Sequence, residues 1–363
     1  MPQLFTGLLN ANEIFGSIFN QIISQHVFAD NIKGTYSALV DAARVDGSLY
    51  GDTKLYYSTD IYGSDEWTGD PMGAADRLIG AKRPEDPKCQ KIEIDTFRQI
   101  KITIDDYLSK RAWGTPDAFI QFNSRILSWM RDIKRVYDAT LYNTYIGTTE
   151  TTKGKQKITI TPISGQNDAL TMAEALADLL VKLKCPSRDY NDYGFMRSLS
   201  EDDMRVVWNA KHYNTLKKID MPTIFHTDGL LTEFDQTVLP AQFFGTIIGT
   251  NHSTMFTVPE DSNEYYATVE KDITVSNQKI HIFPGIDKLP VGAQLPQDEV
   301  YKVDDSIAFK VMHKESVPYM SAFEVGTSFF NDSGLYRNHF LTWGHNKLEY
   351  LMEYPLITAR FAQ

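Results

Sequence analysis

Residues 115–147 read TPDAFIQFNSRILSWMRDIKRVYDATLYNTYIG, and this stretch decides the architecture expected of the 363-residue chain. Thr115 is a favourable N-cap, Pro116 suits the first helical position, and Gly147 provides a C-terminal stop. Between them, apolar side chains recur every three or four residues, at Phe119, Phe122, Ile126, Trp129, Ile133, Val136 and Tyr137. The pattern predicts one helix over residues 116–146. At 1.5 Å per residue it is about 46 Å long, enough to cross a whole domain.

An extended excursion is predicted before this helix, over residues 49–110. Residues 54–57 are expected to form a strand. Residues 91–104 are expected to form another, because Ile100, Ile102 and Ile104 alternate with polar residues. Pairing the two strands gives a hairpin stem with a loop of roughly thirty residues, a length that is uncommon in compact domains and usually functional. The alternative is an irregular surface insertion without a partner.

The N-terminal residues 3–28 carry a second helical pattern. Their apolar side chains lie at spacings of mostly three, four and seven, and Glu13 is the only formal charge between Met1 and Ala29. Such a segment is expected to lie on a protein surface, either the core of its own subunit or a neighbouring subunit. A membrane-surface helix is disfavoured because the polar face has no Lys or Arg.

The remaining chain alternates short elements. A strand is predicted over 157–163. Thr171 and Glu174 fit a capping box for a helix over 172–184, with Leu176, Leu179, Leu180 and Leu183 as its buried stripe. A strand over 205–208 is followed by a helix that Asn209 caps and that runs through Ile219. Beyond it the pattern is mostly β: a hairpin turning at Asn277, in which Ile273 and Val275 face Ile280 and Ile282, and a strand in which Ile307, Phe309 and Val311 alternate.

The composition predicts a soluble globular protein, with 42% hydrophobic and 23% charged residues. A net charge of −11, from 36 Lys and Arg against 47 Asp and Glu, disfavours binding to a nucleic-acid backbone. Cys89 and Cys185 are typical of reduced cytoplasmic thiols. The absence of a basic flank before Lys33 disfavours a secretory signal. The sequence contains no apolar run of about 18 residues, so no membrane span is predicted.

The motifs of common enzymes are absent from the sequence: it has no phosphate loop, no G-x-G-x-x-G turn, no H-E-x-x-H and no nucleophile elbow. No two of the eight histidines lie four residues apart, and the carboxylate doublets fit solvated turns. We therefore predict no catalytic, cofactor-binding or metal-binding residues. Aromatic side chains on the excursion are suited to stacking on a sugar or base, or to anchoring a protein partner. Without a basic groove the protein partner is favoured. The candidate inter-subunit contacts are Phe15, Phe19, Ile22, Tyr56, Tyr57, Tyr62 and Trp67.

The order of these elements resembles a known family over most of the chain. After the apolar N-terminal segment, RVDG at 44–47 and GDTKLYY at 51–57 open the hairpin, and FRQI at 97–100 through DDYL at 105–108 closes it. The long helix follows, and RVVWN at 205–209 then runs into the next helix. This order is similar to that of the major capsid (major head) proteins of tailed bacteriophages, the Caudoviricetes, which have the Johnson fold.

The resemblance implies an α+β Johnson fold with four parts. These are an N-terminal arm at 1–48; an extended hairpin loop with its flanking strands at 49–110; a peripheral domain at 111–166, with the long helix as its spine and completed by 318–363; and a mixed α/β axial domain at 167–317, with room for an insertion at 229–259. In the family, the arm and the loop reach across neighbouring subunits.

The implied function is a non-enzymatic shell subunit that self-assembles into the icosahedral head around double-stranded DNA. Its implied partners are copies of itself in hexameric and pentameric capsomers and a portal protein at one vertex. DNA is enclosed without sequence-specific binding, and no cofactor or membrane is involved. The arm begins almost at Met1, without a charged helical scaffolding segment before it, which suggests a separate scaffolding protein. The implied location is the virion, assembled in the host bacterial cytoplasm.

Two other functions remain open from the sequence. A portal or minor head protein also combines long helices with a β-rich remainder, and a ring of few subunits around a channel would favour it. A carbohydrate-binding or carbohydrate-active protein accounts for the many Tyr and Trp residues, and a glycan affinity lost on mutation of Trp67 or Trp113 would favour it.

Overall fold

A computed structural model describes residues 36–46, 53–64, 83, 85–105, 116–151, 154–162, 168–218, 235–260, 264–275 and 277–362. The helices of this part are α1 (Ala38–Ala42), α2 (Pro116–Thr148), α3 (Asp168–Lys184) and α4 (Ala210–Lys218). Its strands are β1 (Arg44–Asp46), β2 (Thr53–Ser58), β3 (Lys88–Asp105), β4 (Lys157–Ile160), β5 (Met204–Asn209), β6 (Asp235–Leu239), β7 (Gly245–Ile247), β8 (Met255–Thr257), β9 (Tyr265–Ala267), β10 (Lys271–Val275), β11 (Gln278–Ile282), β12 (Gln294–Pro296), β13 (Val300–Val303), β14 (Ile307–His313), β15 (Tyr319–Asn331), β16 (Tyr336–Asn346) and β17 (Leu356–Phe361).

Two five-stranded sheets organise the described chain. The first, called the long sheet, has the order β1-β15-β16-β3-β2, and the second, called the central sheet, has the order β4-β17-β14-β5-β6. Three small sheets, β7-β13-β9, β10-β11 and β12-β8, surround a separate apolar cluster that includes Ile273, Leu295 and Val300. No helix among the described residues is both long and apolar enough to cross a membrane.

The predicted long helix is confirmed as α2, which has 33 residues and ends at Thr148 rather than at 146. It lies between the two large sheets. Met130 and Tyr137 pack against Leu341 and Trp343 of β16, with Ile100 and Ile102 of β3 beside them. Further along, Ala139, Tyr142 and Ile146 belong to the core beneath the central sheet. The apolar pattern therefore serves two cores, one on each side of the helix.

The predicted hairpin stem is also confirmed. β2 and β3 are antiparallel, with Thr53 opposite Glu93 and Ser58 opposite Lys88. β3 is longer than expected, at 18 residues, because its second half pairs with β16 rather than with β2. Most of the loop between the two strands lies outside the described residues.

Helix α3 covers one face of the central sheet. The predicted stripe Leu176, Leu179, Leu180 and Leu183 is buried there against Trp208, Phe309 and Val311. The predicted capping box is wrong, since the helix begins at Asp168 and Thr171 is already buried inside it. An acidic residue in the first turn complements the helix dipole, so Asp168 gives an earlier start than the Thr171–Glu174 pair suggested.

Three other local predictions need adjustment. The strand expected over 157–163 ends at Ile160. Asn209 caps α4 as expected, because its Oδ1 accepts the Lys211 N–H at 3.1 Å, but the helix ends at Lys218 in the described chain. The β10-β11 hairpin forms with Ile273 opposite Ile280, whereas Val275 lies opposite Gln278 and Ile282 opposite Lys271.

The alternation expected for 307–311 does not describe β14. Every residue of this strand is buried, Lys310 included, because β14 lies in the middle of the central sheet and both faces of that sheet are covered. Lys310 Nζ donates a hydrogen bond of 2.7 Å to the carbonyl of Thr149, just beyond the end of α2. A buried ammonium thus ties the C-terminal end of the long helix to the central sheet.

Lys310 is expected to make stability depend on pH. Burial, with a smaller contribution from the nearby charge of Lys157, lowers the pKa of its ammonium to about 7. An unfolded lysine keeps its proton up to about pH 10.4. Between these values the unfolded state binds more protons, so the free energy of unfolding rises with pH by up to about 1.4 kcal/mol per unit. Below pH 7 both states are protonated and the contribution is constant.

Urea denaturation between pH 6 and 9 measures this effect by comparing the wild-type protein with Lys310→Met. We expect the difference in unfolding free energy between the two proteins to change steadily above pH 7, in favour of the wild type. A pH-independent difference would show that Lys310 keeps its charge in the folded subunit.

Candidate subunit-contact surfaces

The first candidate surface lies on the hairpin of β2 and β3, called the ribbon. Successive residues of a strand point to opposite faces, and in β2 the residues with odd numbers are exposed. Leu55 is 51% exposed and Tyr57 is 65% exposed. Ile61 and Tyr62 continue this exposed apolar run beyond the strand. Large apolar side chains grouped in this way are typical of a protein-contact surface.

The predicted contact residues fall into three groups. Tyr57 and Tyr62 are exposed on or next to the ribbon. Tyr56 points the other way and is half-buried, packing against a cluster that includes Ile92, Ile94 and Leu351 of its own chain. Phe15, Phe19, Ile22 and Trp67 lie outside the described residues.

A polar cluster, called the ribbon anchor, holds the base of the ribbon. Arg197 donates to the carbonyl of Thr59 at 2.7 Å and to Ser58 Oγ at 3.2 Å, and it forms an ion pair with Glu353, to which Ser58 also donates. Residues from three distant parts of the chain therefore meet where β2 ends. Ser58, Arg197 and Glu353 are each held by more than one contact, which fixes the direction in which the ribbon leaves the subunit.

Asp60 extends this anchor by one residue. Its Oδ1 accepts the Met196 N–H at 2.9 Å and the Ile61 N–H at 2.8 Å, and its other oxygen pairs with Arg188. The Met196 N–H and the Arg188 guanidinium lower the pKa of this carboxyl to about 2. The folded state therefore favours the carboxylate, and this contribution is present above about pH 4 and is lost as the pH falls towards 2.

Removing the anchor is expected to loosen the ribbon without unfolding the subunit. In Arg197→Ala, the contacts to Ser58, Thr59 and Glu353 are lost. Ser58 is buried but still donates to Glu353, and the side chains of Arg197 and Glu353 are partly exposed, so water replaces the arginine. We expect the unfolding free energy to fall by about 1 kcal/mol and amide exchange at 57–62 to accelerate. Hydrogen–deuterium exchange measures this, with Lys155→Ala, which breaks the exposed pair to Asp189, as the matched control. Unchanged exchange at 57–62 would show that the anchor does not hold the ribbon.

The second candidate surface lies on the long sheet, on the face opposite α2. The register places Phe97 opposite Gly344, Lys101 opposite Phe340, and Asn338 opposite Phe329, so all of these residues share that face. Phe97 is 59% exposed and Phe329 is 62% exposed. At the tip of the hairpin Leu335 is also exposed and has a φ of 51°, which the tight turn requires.

A buried ionic cluster fixes this sheet to α2. Asp138 is completely buried and accepts a hydrogen bond of 2.6 Å from the Tyr319 hydroxyl of β15. It also pairs with Lys134 at 3.2 Å and with Arg44 of β1 at 3.1 Å. Lys134 reaches Glu324 of β15 at 3.4 Å. The start of β15 is therefore held firmly, and its remaining length extends away from this point.

Sequence reasoning missed the candidate contact residues of the β15-β16 hairpin. The turn signal was present: in NDSG at 331–334, Asn331 Oδ1 accepts the N–H groups of Ser333 and Gly334. Because the flanking strands do not alternate strictly between apolar and polar residues, their pattern alone did not predict the hairpin or which of its phenylalanines are exposed.

The described residues also include one cleft of about 400 Å³ between α2 and the small sheets. Tyr137, Tyr145, His252, Glu299 and Lys347 are among the side chains that line it. His252 Nδ1 lies 3.0 Å from Asp298; the His252 side chain is largely exposed and that of Asp298 is partly exposed. In the part of the chain that is described, no three His, Cys, Asp or Glu side chains are arranged to hold a metal ion.

Comparison with known proteins identifies the family. A sequence model of the Phi29-like phage major capsid protein family matches residues 5–347. The chain belongs to this family. It is therefore a phage major capsid protein, which forms the capsid shell and is part of the virion. The family gives the major capsid protein a structural role.

Solved structures support the fold of the major capsid protein. The capsid of Staphylococcus phage Andhra aligns over 100% of this chain and 95% of its own chain, with a TM-score of 0.61 and 10% identity. The capsid of Ralstonia phage GP4 aligns over 100% and 99%, with a TM-score of 0.51 and 8% identity. A chain from the head fibre and inner core protein gp22 structure of bacteriophage P68 aligns over 99% and 90%, with a TM-score of 0.57 and 10% identity. The predicted α+β Johnson fold is confirmed at the level of the overall fold. No curated protein sequence gives a significant match.

Proposed function

We propose that this major capsid protein builds an icosahedral head around double-stranded DNA and does so without catalysing a reaction. The observation that carries the proposal is the ribbon: it presents Leu55, Tyr57 and Ile61 to solvent, and the ribbon anchor holds its base. A single subunit gains nothing by exposing such side chains. In a shell, the same side chains contribute apolar area to the contact between neighbours.

We propose that hexameric and pentameric capsomers form from these subunits, that a separate scaffolding protein guides their assembly in the host bacterial cytoplasm, and that a portal protein occupies one vertex. The net charge of −11 supports a wall that encloses DNA without sequence-specific binding, because an acidic surface repels phosphates. The residues that were predicted from the arm and the loop, including Phe15, Phe19, Ile22 and Trp67, remain proposed contacts between copies.

We also propose the division into arm (1–48), loop with its flanking strands (49–110), peripheral domain (111–166 with 318–363) and axial domain (167–317, with an insertion at 229–259). The packing of Leu341 and Trp343 of β16 against Met130 and Tyr137 of α2 supports a link between the C-terminal segment and the peripheral part. β17 joins β14 and β4 in the central sheet, so the same segment also contributes to the axial side.

Electron microscopy of the expressed protein tests the proposed function. The protein is expressed alone and together with candidate scaffolding proteins of the same phage, and the particles are purified and imaged. We expect closed shells with icosahedral symmetry. A monomer that persists at high concentration in the presence of the scaffold would contradict the proposal, and so would a ring of few subunits around a channel, since that is the form of a portal.

A further inference from the structure

The long sheet has an open edge along β15. β1 pairs only with Tyr319, Met320 and Ser321, and beyond them β15 has β16 on one side and no second strand among the residues described. A bulge lies between Ala322 and Val325 and separates the two parts. Residues 325–331, called the open edge, therefore present a row of backbone N–H and C=O groups on their outer side.

The sequence of the open edge differs from that of the other edge strands of the two large sheets. Proteins normally protect exposed edges with charged residues, proline or very short strands. β1 has three residues, two of them charged; β2 carries Lys54, β4 carries Lys157 and β6 carries Asp235. The open edge reads VGTSFFN, with no charged residue and no proline in seven positions. Such a segment is suited to pairing with another strand.

There is space beside the open edge for an added strand. Residues 326–329 are all exposed. Because successive residues of a strand point to opposite faces, both faces of the sheet are exposed here. A Cβ atom added at Gly326 would meet no atom within 4 Å. The described residues therefore leave both faces of the sheet uncovered at the middle of the open edge.

We propose that the open edge pairs antiparallel with the open edge of a second copy, across a two-fold axis that passes between the Thr327 residues of the two copies. The inference rests on the proposed function, because a shell brings many copies of the same edge together. The two-fold symmetry is isologous: each copy offers the same segment, so the contact needs no second partner sequence. The result is one sheet that continues from one subunit into the next.

The register follows from the faces of the strand. Opposite residues in an antiparallel pair point to the same face, so an axis perpendicular to the sheet must pair odd-numbered residues with odd-numbered ones. With the two Thr327 residues opposite each other across the axis, Val325 lies opposite Phe329 of the second copy, and Phe329 lies opposite Val325 of the second copy. Aromatic residues opposite β-branched ones are favourable cross-strand pairs, and this register makes two of them.

Thiol cross-linking in assembled shells tests the pairing. In a background with Cys89→Ser and Cys185→Ser, Thr327→Cys places two thiols opposite each other, and opposite Cβ atoms lie about 4.5–5.5 Å apart. We expect covalent dimers on mild oxidation or with a short bis-maleimide. Ser333→Cys is the matched control, because two such residues would be about 40 Å apart across the axis. Shells that form but give no dimer with Thr327→Cys, or give as much dimer with Ser333→Cys, would overturn the pairing and leave the proposed function intact.

A charge exchange tests the register independently. Val325→Lys alone places a lysine opposite Phe329, and Phe329→Glu alone places a glutamate opposite Val325, so each is expected to lower the yield of shells at least tenfold. The double variant places Lys opposite Glu at both positions and is expected to recover most of that yield. A double variant no better than the single variants would contradict this register. If the wild-type protein itself forms no shells, the proposed function fails together with this inference.

Discussion

Replacing Leu55 and Tyr57 by aspartate is expected to abolish shell assembly and to leave the subunit folded. Both side chains are more than half exposed in the single chain, so the substitution removes little from its core. In the shell, each aspartate would be buried in an apolar contact without a partner, at a cost of about 1–3 kcal/mol. Since about 1.4 kcal/mol changes an equilibrium tenfold, the yield of shells should fall by well over a factor of ten.

Quantitative electron microscopy and sedimentation of the Leu55→Asp/Tyr57→Asp protein measure this loss, and circular dichroism checks the fold. Val181→Asp is the control, because this valine is 60% exposed on α3, away from the ribbon. A double variant that unfolds at the wild-type temperature and still forms shells in normal yield would exclude the ribbon from the contacts between copies.

Alanine substitutions at two phenylalanines are expected to have different effects, one on the stability of the subunit and the other on its assembly. Phe309 is completely buried between α3 and the centre of the central sheet, with its ring centroid 5.1 Å from that of Trp208. Phe329 is mostly exposed on the open edge. The Phe309→Ala substitution leaves a cavity and should lower the unfolding free energy by about 3–5 kcal/mol. Phe329→Ala should change it by less than about 0.5 kcal/mol.

Chemical denaturation of the unassembled subunit measures both values. We expect Phe309→Ala to give largely insoluble protein, whereas Phe329→Ala remains soluble and is impaired only in forming shells. Equal losses of stability for the two variants would contradict the burial described for β14 and the exposure described for β15.

The sequence contained strong local information about α2 and the ribbon stem. A cap, a first-turn proline and seven regularly spaced apolar residues agree over residues 115–147, so no distant contact was needed to predict the helix. The strand in 91–104 was equally clear, because Ile100 and Ile102 face α2, Ile104 is buried, and the residues between them are exposed. Where one face of a helix or strand is buried and the other is exposed to solvent, the spacing of its apolar residues shows the type of element in the sequence.

The errors arose where the tertiary structure overrides this pattern. β14 is covered on both faces, so Lys310 follows no alternation, and its buried position depends on the end of α2, whose Thr149 lies 161 residues earlier in the chain. Nothing near Ser58 or Asp60 indicates that Arg197 and Glu353 meet them, since that cluster joins segments 136 to 295 residues apart. Phe309 and Phe329 are indistinguishable as residue types, and only the sheet order shows which of them is exposed.

The central claim is that the exposed apolar side chains of the ribbon serve contacts between copies of this chain. A cryo-electron microscopy reconstruction of the assembled shell, at a resolution that shows side chains, measures this most directly. We predict that Leu55 and Tyr57 are covered by a neighbouring subunit in every copy. A shell in which these two side chains still face solvent would contradict the account.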